Sequence, residues 1–404
     1  MKKTFQPGLL ISALVGGLLI ASVVPAAAQT SFDIYGFVMT DVGINDRGVD
    51  PEWFDVQRPT KLADSPAEQD AFGHHGSVFF SARQTRIGVK SSTPTDMGEL
   101  KTQFEWELFG VGVDAGQTTL RLRHAYGELG KFGVGQTWSP FMDIDVFPNT
   151  VEYWGPNGMV FFRNVQIRYM PIQGDTRMTI ALERPGASAD QGVFSDIIGG
   201  DIVARYPFPD LSAEYRQAFS QGYIEFSGIV RRIEWEDTDI TPTDLTGDVT
   251  GWGLHVSTNL KLGSSDVFRG SLVYGEGIEN YMNDAPVDIG TEANADPVTP
   301  VVGVALPVTG VVAFLDHTWS SRFSTSIGYS MVDIDNSDGQ APSAFKNGQY
   351  ALANLMYYPV PNVMMGFETG WIHRENNSDG YEVDQYHLQF SAKYNFSINL
   401  GGGQ

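Results

Sequence analysis

The chain has 404 residues, a formal charge of −22, 45 glycines, 25 Phe, 16 Tyr, 8 Trp and no cysteine. The acidic balance excludes general nucleic-acid binding, and the missing cysteine excludes a lipoprotein anchor. A chain of this length would hold two or three soluble domains, yet no convincing amphipathic helix stands out, and no stretch beyond the N-terminal one reaches the ~18 apolar residues of a membrane-spanning helix.

The N-terminus reads as a secretory signal. Lys2 and Lys3 are basic, Leu9 to Val24 is apolar, and Pro25-Ala26-Ala27-Ala28 supplies a small-residue cleavage site. Removal of 1–28 leaves a domain of 29–404, and losing the two lysines takes the formal −22 to −24. A secreted chain without a spanning helix can still cross a membrane as a closed barrel.

Strand-like alternation then begins, with successive side chains on opposite faces. The first strand covers 32–39 and is followed by a long polar loop, 41–76. The second covers 77–90, with Ile87 and Val89 opposite Arg86 and Lys90. The third, 99–110, sets Leu100, Thr102, Phe104, Trp106 and Leu108 against Lys101, Gln103, Glu105 and Glu107. The fourth, 118–129, sets Leu120 and Leu122 against Arg121 and Arg123; the fifth, 131–137, follows at once across Gly130. After a loop rich in aromatics and acids come strands at 160–170, 175–184, 211–219, 223–236, 251–262, 266–277, 310–319, 322–335, 347–358, 362–374 and 382–396. The stretch 201–206 has strand character, but Pro207 and Pro209 interrupt it, so it is assigned to a loop. Imperfect alternation at Arg231 and Arg232 points to a bulge. The last strand carries Tyr386, Leu388, Phe390, Ala392, Tyr394 and Phe396 on one face, and 397–404 follow it.

The count is sixteen. Connections after odd strands are long and those after even strands are short, the asymmetry of bacterial barrels with long outer loops and short periplasmic turns. A soluble β-sandwich has no reason to alternate loop lengths, and its strands are shorter, about five to six residues. The fold class read from the sequence is therefore all-β: a sixteen-stranded antiparallel transmembrane β-barrel, with 138–157 as a constriction loop after strand five.

On this reading Arg86, Arg121, Arg123, Arg168 and Arg216 point into the lumen, and Arg231 or Arg232 joins them. Guanidinium is always charged and matches carboxylates with a planar fork. A narrow low-dielectric passage focuses its field and favours anions. Trp138, Phe141, Phe147, Tyr153 and Trp154 of the loop are costly to leave in water, so the loop is expected to fold against an inner wall. There Asp143, Asp145 and Glu152 would face the arginines. The alternatives are a surface loop covering the barrel mouth, and arginines that only pair with Glu105, Glu107 or acids of the loops.

The segments QTRIGVK (84–90), RLRHAYGELG (121–130), GQTWSPFMD (135–143) and FPNTVEYWGPNG (147–158) resemble the DcaP-like outer-membrane porin family. The resemblance implies a sixteen-stranded barrel, a homotrimer, and uptake of dicarboxylates and other small anions through a basic constriction to which Arg86, Arg121 and Arg123 correspond. Some members carry an N-terminal periplasmic coiled coil; here the first strand begins almost at Gln29.

Other constellations weigh less. His255, Ser257 and Asn259 offer hydrolase side-chain types, but they share the lumen face, whereas a phospholipase presents its nucleophile to lipid. Glu234, Glu236, Asp237 and Asp239 lack the central glycine and closing glutamate of a calcium loop; divalent ions bridging lipopolysaccharide to the loops are an open alternative. His74-His75 reads as solvent-exposed. The expectation is a passive channel for small anionic solutes, with no cofactor, no metal and no catalytic residue. A non-selective porin and a structural or adhesive barrel plugged by its own loops are the alternatives.

Overall fold

The computed structural model describes residues 30–110, 120–186, 202–238 and 242–401. The expected signal segment, 1–28, and Asp239 of the acidic cluster lie outside the described residues. Sixteen strands form the wall. They are β1 (Ser31–Asn45), β2 (Ser77–Ser81 continued by Arg86–Thr95), β3 (Gly98–Glu107), β4 (Arg121–Leu129), β5 (Phe132–Trp138), β6 (Arg163–Ile172), β7 (Arg177–Glu183) and β8 (Ile202–Arg205 continued by Asp210–Phe219). The other half comprises β9 (Gly222–Asp237), β10 (Gly247–Leu262), β11 (Asp266–Glu276), β12 (Pro307–Ser320), β13 (Phe323–Ile334), β14 (Phe345–Tyr357), β15 (Val363–Asn376) and β16 (Glu382–Leu400).

Each strand pairs antiparallel with its neighbours in chain order, and the last returns to the first, from Phe32 opposite Leu400 to Asn45 opposite His387. The sheet is therefore a closed barrel without a free edge. Alternation explains why it closes this way round. Val134, Ile167, Leu211, Phe226, Leu254, Leu272, Leu388 and Phe390 point outward and are exposed, while Asn164, Gln166, Ser212, Ser257, Ser330 and Gln389 point inward and are buried. The polar face is inside and the apolar face outside, the reverse of a soluble sheet. Among the described residues no helix is long and apolar enough to cross a membrane.

Two strands of the wall are broken, β2 between Ser81 and Arg86 and β8 between Arg205 and Asp210, where the sequence reading had an unbroken strand over 77–90 and a loop over 201–206. Ile202–Arg205, expected in a loop, pairs with Glu234 to Asp237 as the upper half of β8. Pro207 and Pro209 fall in the gap before Asp210, where no ladder bond is required of them, so they interrupt the strand without ending it. In β9 no bulge occurs at Arg231 and Arg232: pairing with β10 is continuous from Gly222 to Trp235. Arg231 points inward and is buried, while Arg232 points outward and pairs with Glu234 and Asp248. The alternation looked imperfect because an outward arginine is satisfied by acids on its own and the neighbouring strand. β16 also runs beyond Phe396, to Leu400.

A real bulge lies in β4. Glu105 is opposite His124 and Trp106 opposite Leu122, so Arg123 is an extra residue without a cross-strand partner. Arg121 and Arg123 both turn inward, and so do His124 and Tyr126 after them. At the other end of β4, Gly130 makes the two-residue turn into β5 with φ of +57°, a conformation open to glycine without steric cost.

Three of the long connections fold into the barrel: 46–76, 139–162 and 277–306. They meet in an apolar cluster that includes Leu62 of the first, Phe141, Met142, Val146 and Phe162 of the second, and Ile278, Tyr281 and Met282 of the third, backed by Val273, Val312, Phe314 and Tyr350 of the wall. The third carries a short hairpin, Ile289–Ala293 with Val301–Ala305.

The outward apolar band makes one prediction. Leu272→Arg, halfway along β11, is expected to destabilise the barrel in lipid vesicles by about 2–4 kcal/mol, measured by reversible denaturant unfolding.

Candidate functional site

The loop after β5 runs across the interior, and each turn of it is fixed to a different part of the wall. The Ser139 hydroxyl donates to Glu183 on β7 at 2.7 Å. The Asp143 carboxylate accepts from Arg216 at 2.7 Å, Tyr223 at 2.6 Å and Ser257 at 2.6 Å, on β8, β9 and β10. Asp145 pairs with Arg216 at 2.5 Å, and its carbonyl accepts from Asn259 and Arg269. Farther round, Asn149 donates to Ser324 and Tyr358. Glu368 on β15 then accepts from the Thr150 hydroxyl at 2.6 Å and from the amides of Val151 and Glu152 at 3.1 and 3.0 Å. At the end, the Gly158 amide donates to Ser330, and a Cβ there would stand 1.9 Å from the Met331 carbonyl, so only glycine can come this close to the wall.

Glu152 ties this loop to the first. It accepts from the amides of Gln57 at 3.0 Å, Trp154 at 2.9 Å and Gly155 at 2.6 Å, and from the Tyr350 hydroxyl at 3.2 Å. Burial pushes its carboxyl up to about 8; the three amide donors pull the other way, and the Glu368 carboxylate adds to the rise. Arg58 of the first loop lies between the rings of Trp53 and Trp154, at 4.2 and 4.1 Å, and pairs with Asp284 of the third at 2.8 Å.

Between this loop and the β2–β6 wall lies a cavity of about 580 Å³. Phe147, Thr150, Glu152, Tyr153 and Trp154 border it on the loop side. Its cations are Arg58, Arg86, Arg121, Arg123, Arg163, Arg184 and Lys393, against the carboxylates of Glu152 and Glu279. Three of the arginines share one pair of buried acids on β3, and a fourth, Arg163, stands near them. Arg123 reaches Glu105 at 2.7 Å and Glu107 at 2.8 Å. Arg86 is 3.2 Å from Glu107 and 3.7 Å from Glu105, and Arg121 is 3.9 Å from Glu107. Arg163 makes no ion pair among the described residues and lies over the Trp138 ring at 5.0 Å. Tyr153 donates to Glu107 at 2.5 Å, bringing the loop against the same acids. Four guanidiniums against two carboxylates leave an excess of two positive charges. Arg86 Nε, Arg121 Nη1 and Arg163 Nη1 are buried donors with no protein acceptor. Donors of that kind are costly until an acceptor reaches them.

All five arginines read from the sequence face the interior, but they divide into two groups. Arg86, Arg121 and Arg123 come together at the cavity. Arg168 turns away from it, donating to the Gln166 side chain and the Trp138 carbonyl and stacking on Tyr126. Arg216 is taken up by Asp143, Asp145 and Glu225. Asp143 and Asp145 are therefore ion-paired with the far wall and do not stand opposite Arg86, Arg121 and Arg123. Arg231 is likewise paired, with Asp210 and Asp288.

Sequence reasoning passed over Arg58, Arg163, Arg184 and Lys393. Lys393 had a signal: it continues the inward series His387, Gln389, Ser391 on β16. Arg163 had none, since parity in β6 gives it the outward face, and it reaches the cavity because it opens the strand where the loop ends. Arg58 belongs to a loop whose inward folding depends on partners far away in sequence. Of the other constellations, His255 meets Ser227, while Ser257 and Asn259 hold the loop. Glu234 and Glu236 pair with Arg232 and Arg205, and His74 is exposed beside Asp70.

A family model described as DcaP outer membrane protein matches residues 25–396. Among solved structures, the outer membrane channel DcaP of Acinetobacter baumannii is similar with a TM-score of 0.74 at 22% identity, over 92% of this chain and 99% of that one. The anion-selective porin of Comamonas acidovorans is similar with a TM-score of 0.55 at 9% identity, over 91% of this chain and 100% of that one. OmpT of Vibrio cholerae, as expressed in the outer membrane, gives 0.55 at 13% identity, over 91% and 98%. The comparison with curated proteins found no match.

Glu152 makes the loop sensitive to pH. Its carboxyl, at about 8 in the folded protein against an ordinary 4.5, binds more protons folded than unfolded between those values. Its contribution is complete below the lower value and is lost as pH rises through the upper one. Current fluctuations of the reconstituted protein are expected to increase between about pH 6 and about pH 9, and Glu152→Gln is expected to make them independent of pH over that range.

Proposed function

This chain belongs to the DcaP outer membrane protein family, a family of outer-membrane channels, and from that premise we propose that it is a passive diffusion channel favouring small anions that carry carboxylates. The observation that carries the reading is the cavity beside the loop, where seven cationic side chains line a passage with two carboxylates. A field of that sign in a low-dielectric wall raises the local concentration of anions and lowers that of cations. The loop from 138 to 157 is the constriction: it spans the interior and is bonded to β7, β8, β9, β10, β13 and β15, so its position sets the size limit. The chemistry required is recognition alone. Arg86, Arg121 and Arg163 offer unpaired N–H donors to a carboxylate, and Arg123 fixes the two acids that would otherwise neutralise them. Transport needs no cofactor and no metal. The protomer is expected to sit in outer-membrane lipid and lipopolysaccharide as a homotrimer; the fold is shared with OmpT of Vibrio cholerae, which has been solved in a trimer form.

A second reading is a barrel stopped by its own loops. The apolar cluster where the three inward connections meet favours it.

Planar bilayers separate the two. The purified protein is expected to give open-channel currents, with a reversal potential in a salt gradient on the anion side and concentration-dependent block by succinate. Removing Arg123 would take from buried Glu105 and Glu107 their closest ion pair, at a cost of about 3–5 kcal/mol, so the clean variant is Arg121→Gln/Arg163→Gln, which breaks no ion pair closer than 3.9 Å. It is expected to lower the anion-to-cation permeability ratio by about tenfold. Cation selectivity in the unmodified protein would sink the substrate reading, and absence of current would favour the stopped barrel.

A further inference from the structure

A second cavity, of about 610 Å³, lies toward the short turns of the barrel. It is bordered by the β12–β13 turn at Ser321 and Arg322 and by the β14–β15 turn from Tyr358 to Asn362. Its polar lining includes Asn149, Thr150, Arg322, Tyr358, Lys393 and Asn395, with two cations and no carboxylate. Thr150 and Lys393 also line the first cavity, so the two spaces meet at these residues.

Lys393 is placed unusually for a lysine. It points inward from β16, between Met39 of β1 and Met364 of β15, and these two methionines belong to an apolar collar completed by Val151 of the loop and Met356. Its ammonium lies 5.1 Å from the centroid of Phe37, whose ring also carries Arg86 at 5.3 Å. One ring thus joins the cation of the second cavity to the arginine group of the first. Among the described residues neither Lys393 nor Arg322 makes an ion pair; the carboxylate nearest in effect to Lys393 is Asp41 of β1, which is taken up by Gln84, Gln389 and Ser391. An ammonium in an apolar collar is poorly solvated, and an anion passing it supplies the close counter-charge that Asp41, without an ion pair to it, does not.

We propose that the second cavity is a carboxylate subsite on the short-turn side, and that Lys393 passes the anion between it and the arginine group. The proposal rests on the anion-channel reading above. It assigns Lys393 and Arg322 to selectivity, and Thr150, held by its bond to Glu368, to the fixed edge of the passage.

The test uses the purified full-length barrel in planar bilayers, with succinate as the probe. Lys393→Met matches the methionines around it, and Lys393→Arg keeps the charge. Removing one charge at this range is expected to lower both the anion-to-cation permeability ratio and the affinity of succinate block by about fivefold. Lys393→Arg is expected to retain both, which a purely structural role for the lysine would not produce. Arg322→Gln, in an exposed turn, does not depend on the collar folding, and it is expected to weaken succinate block by about twofold. If the unmodified protein is anion-selective and blocked by succinate while Lys393→Met and Arg322→Gln behave the same, the subsite is wrong and the channel reading stands. If the unmodified protein shows no anion preference, both fall together.

Discussion

The structure depends on one constraint: every backbone amide and carbonyl of the wall must find its partner in another strand, with no edge left over. Pairing of β16 with β1 along fourteen register positions satisfies it. Once the sheet is closed, side-chain parity decides the rest. One half of each strand has to be apolar and the other half has to be compatible with a polar interior. The interior is then too wide for wall side chains to fill, and three long connections turn inward to occupy it.

Those connections determine what the interior cations do. Each loop brings carboxylates that find arginines on the wall or on another loop. Asp143 and Asp145 take Arg216, Asp284 takes Arg58, and Asp288 takes Arg231 with Asp210. Apart from half-exposed Asp145 these partners are buried, so breaking one of their pairs leaves an uncompensated charge, and the pairs hold the loops in place. The cations left in excess, around Glu105 and Glu107 and at Lys393, are those the loops do not reach with an acid. Attachment of the loops and the excess of cations beside them therefore draw on one set of side chains, and the geometry of the loops divides it.

Much of this was legible from residue order. Two-residue periodicity located all sixteen strands, because a half-apolar wall cannot be built without it, and unequal connections put the long loops together at one end of the barrel. The inward face of β4 was visible as Arg121 and Arg123 alternating with Leu120 and Leu122. What periodicity does not carry is contact between segments distant in sequence. Nothing near Arg216 indicates that Asp143 reaches it, and nothing near Arg58 indicates that it is held between two tryptophans. Local rules also misled where a break was tolerated: Pro207 and Pro209 read as the end of a strand, yet Ile202–Arg205 continues the wall above them.

The extra residue in β4 bears on how such a wall can change over time. Because Arg123 has no cross-strand partner, removing it would bring Leu122 and His124 into regular pairing with Trp106 and Glu105 and leave the facing of every other residue as it is. Inserting or deleting a residue elsewhere in a strand inverts the faces beyond it. The bulge is thus a point where the strand can gain or lose a residue within its ladder, and the residue found there is a cation directed at the interior. A barrel wall can acquire interior charge by insertion as well as by substitution, without rewriting the alternation that keeps it in the membrane.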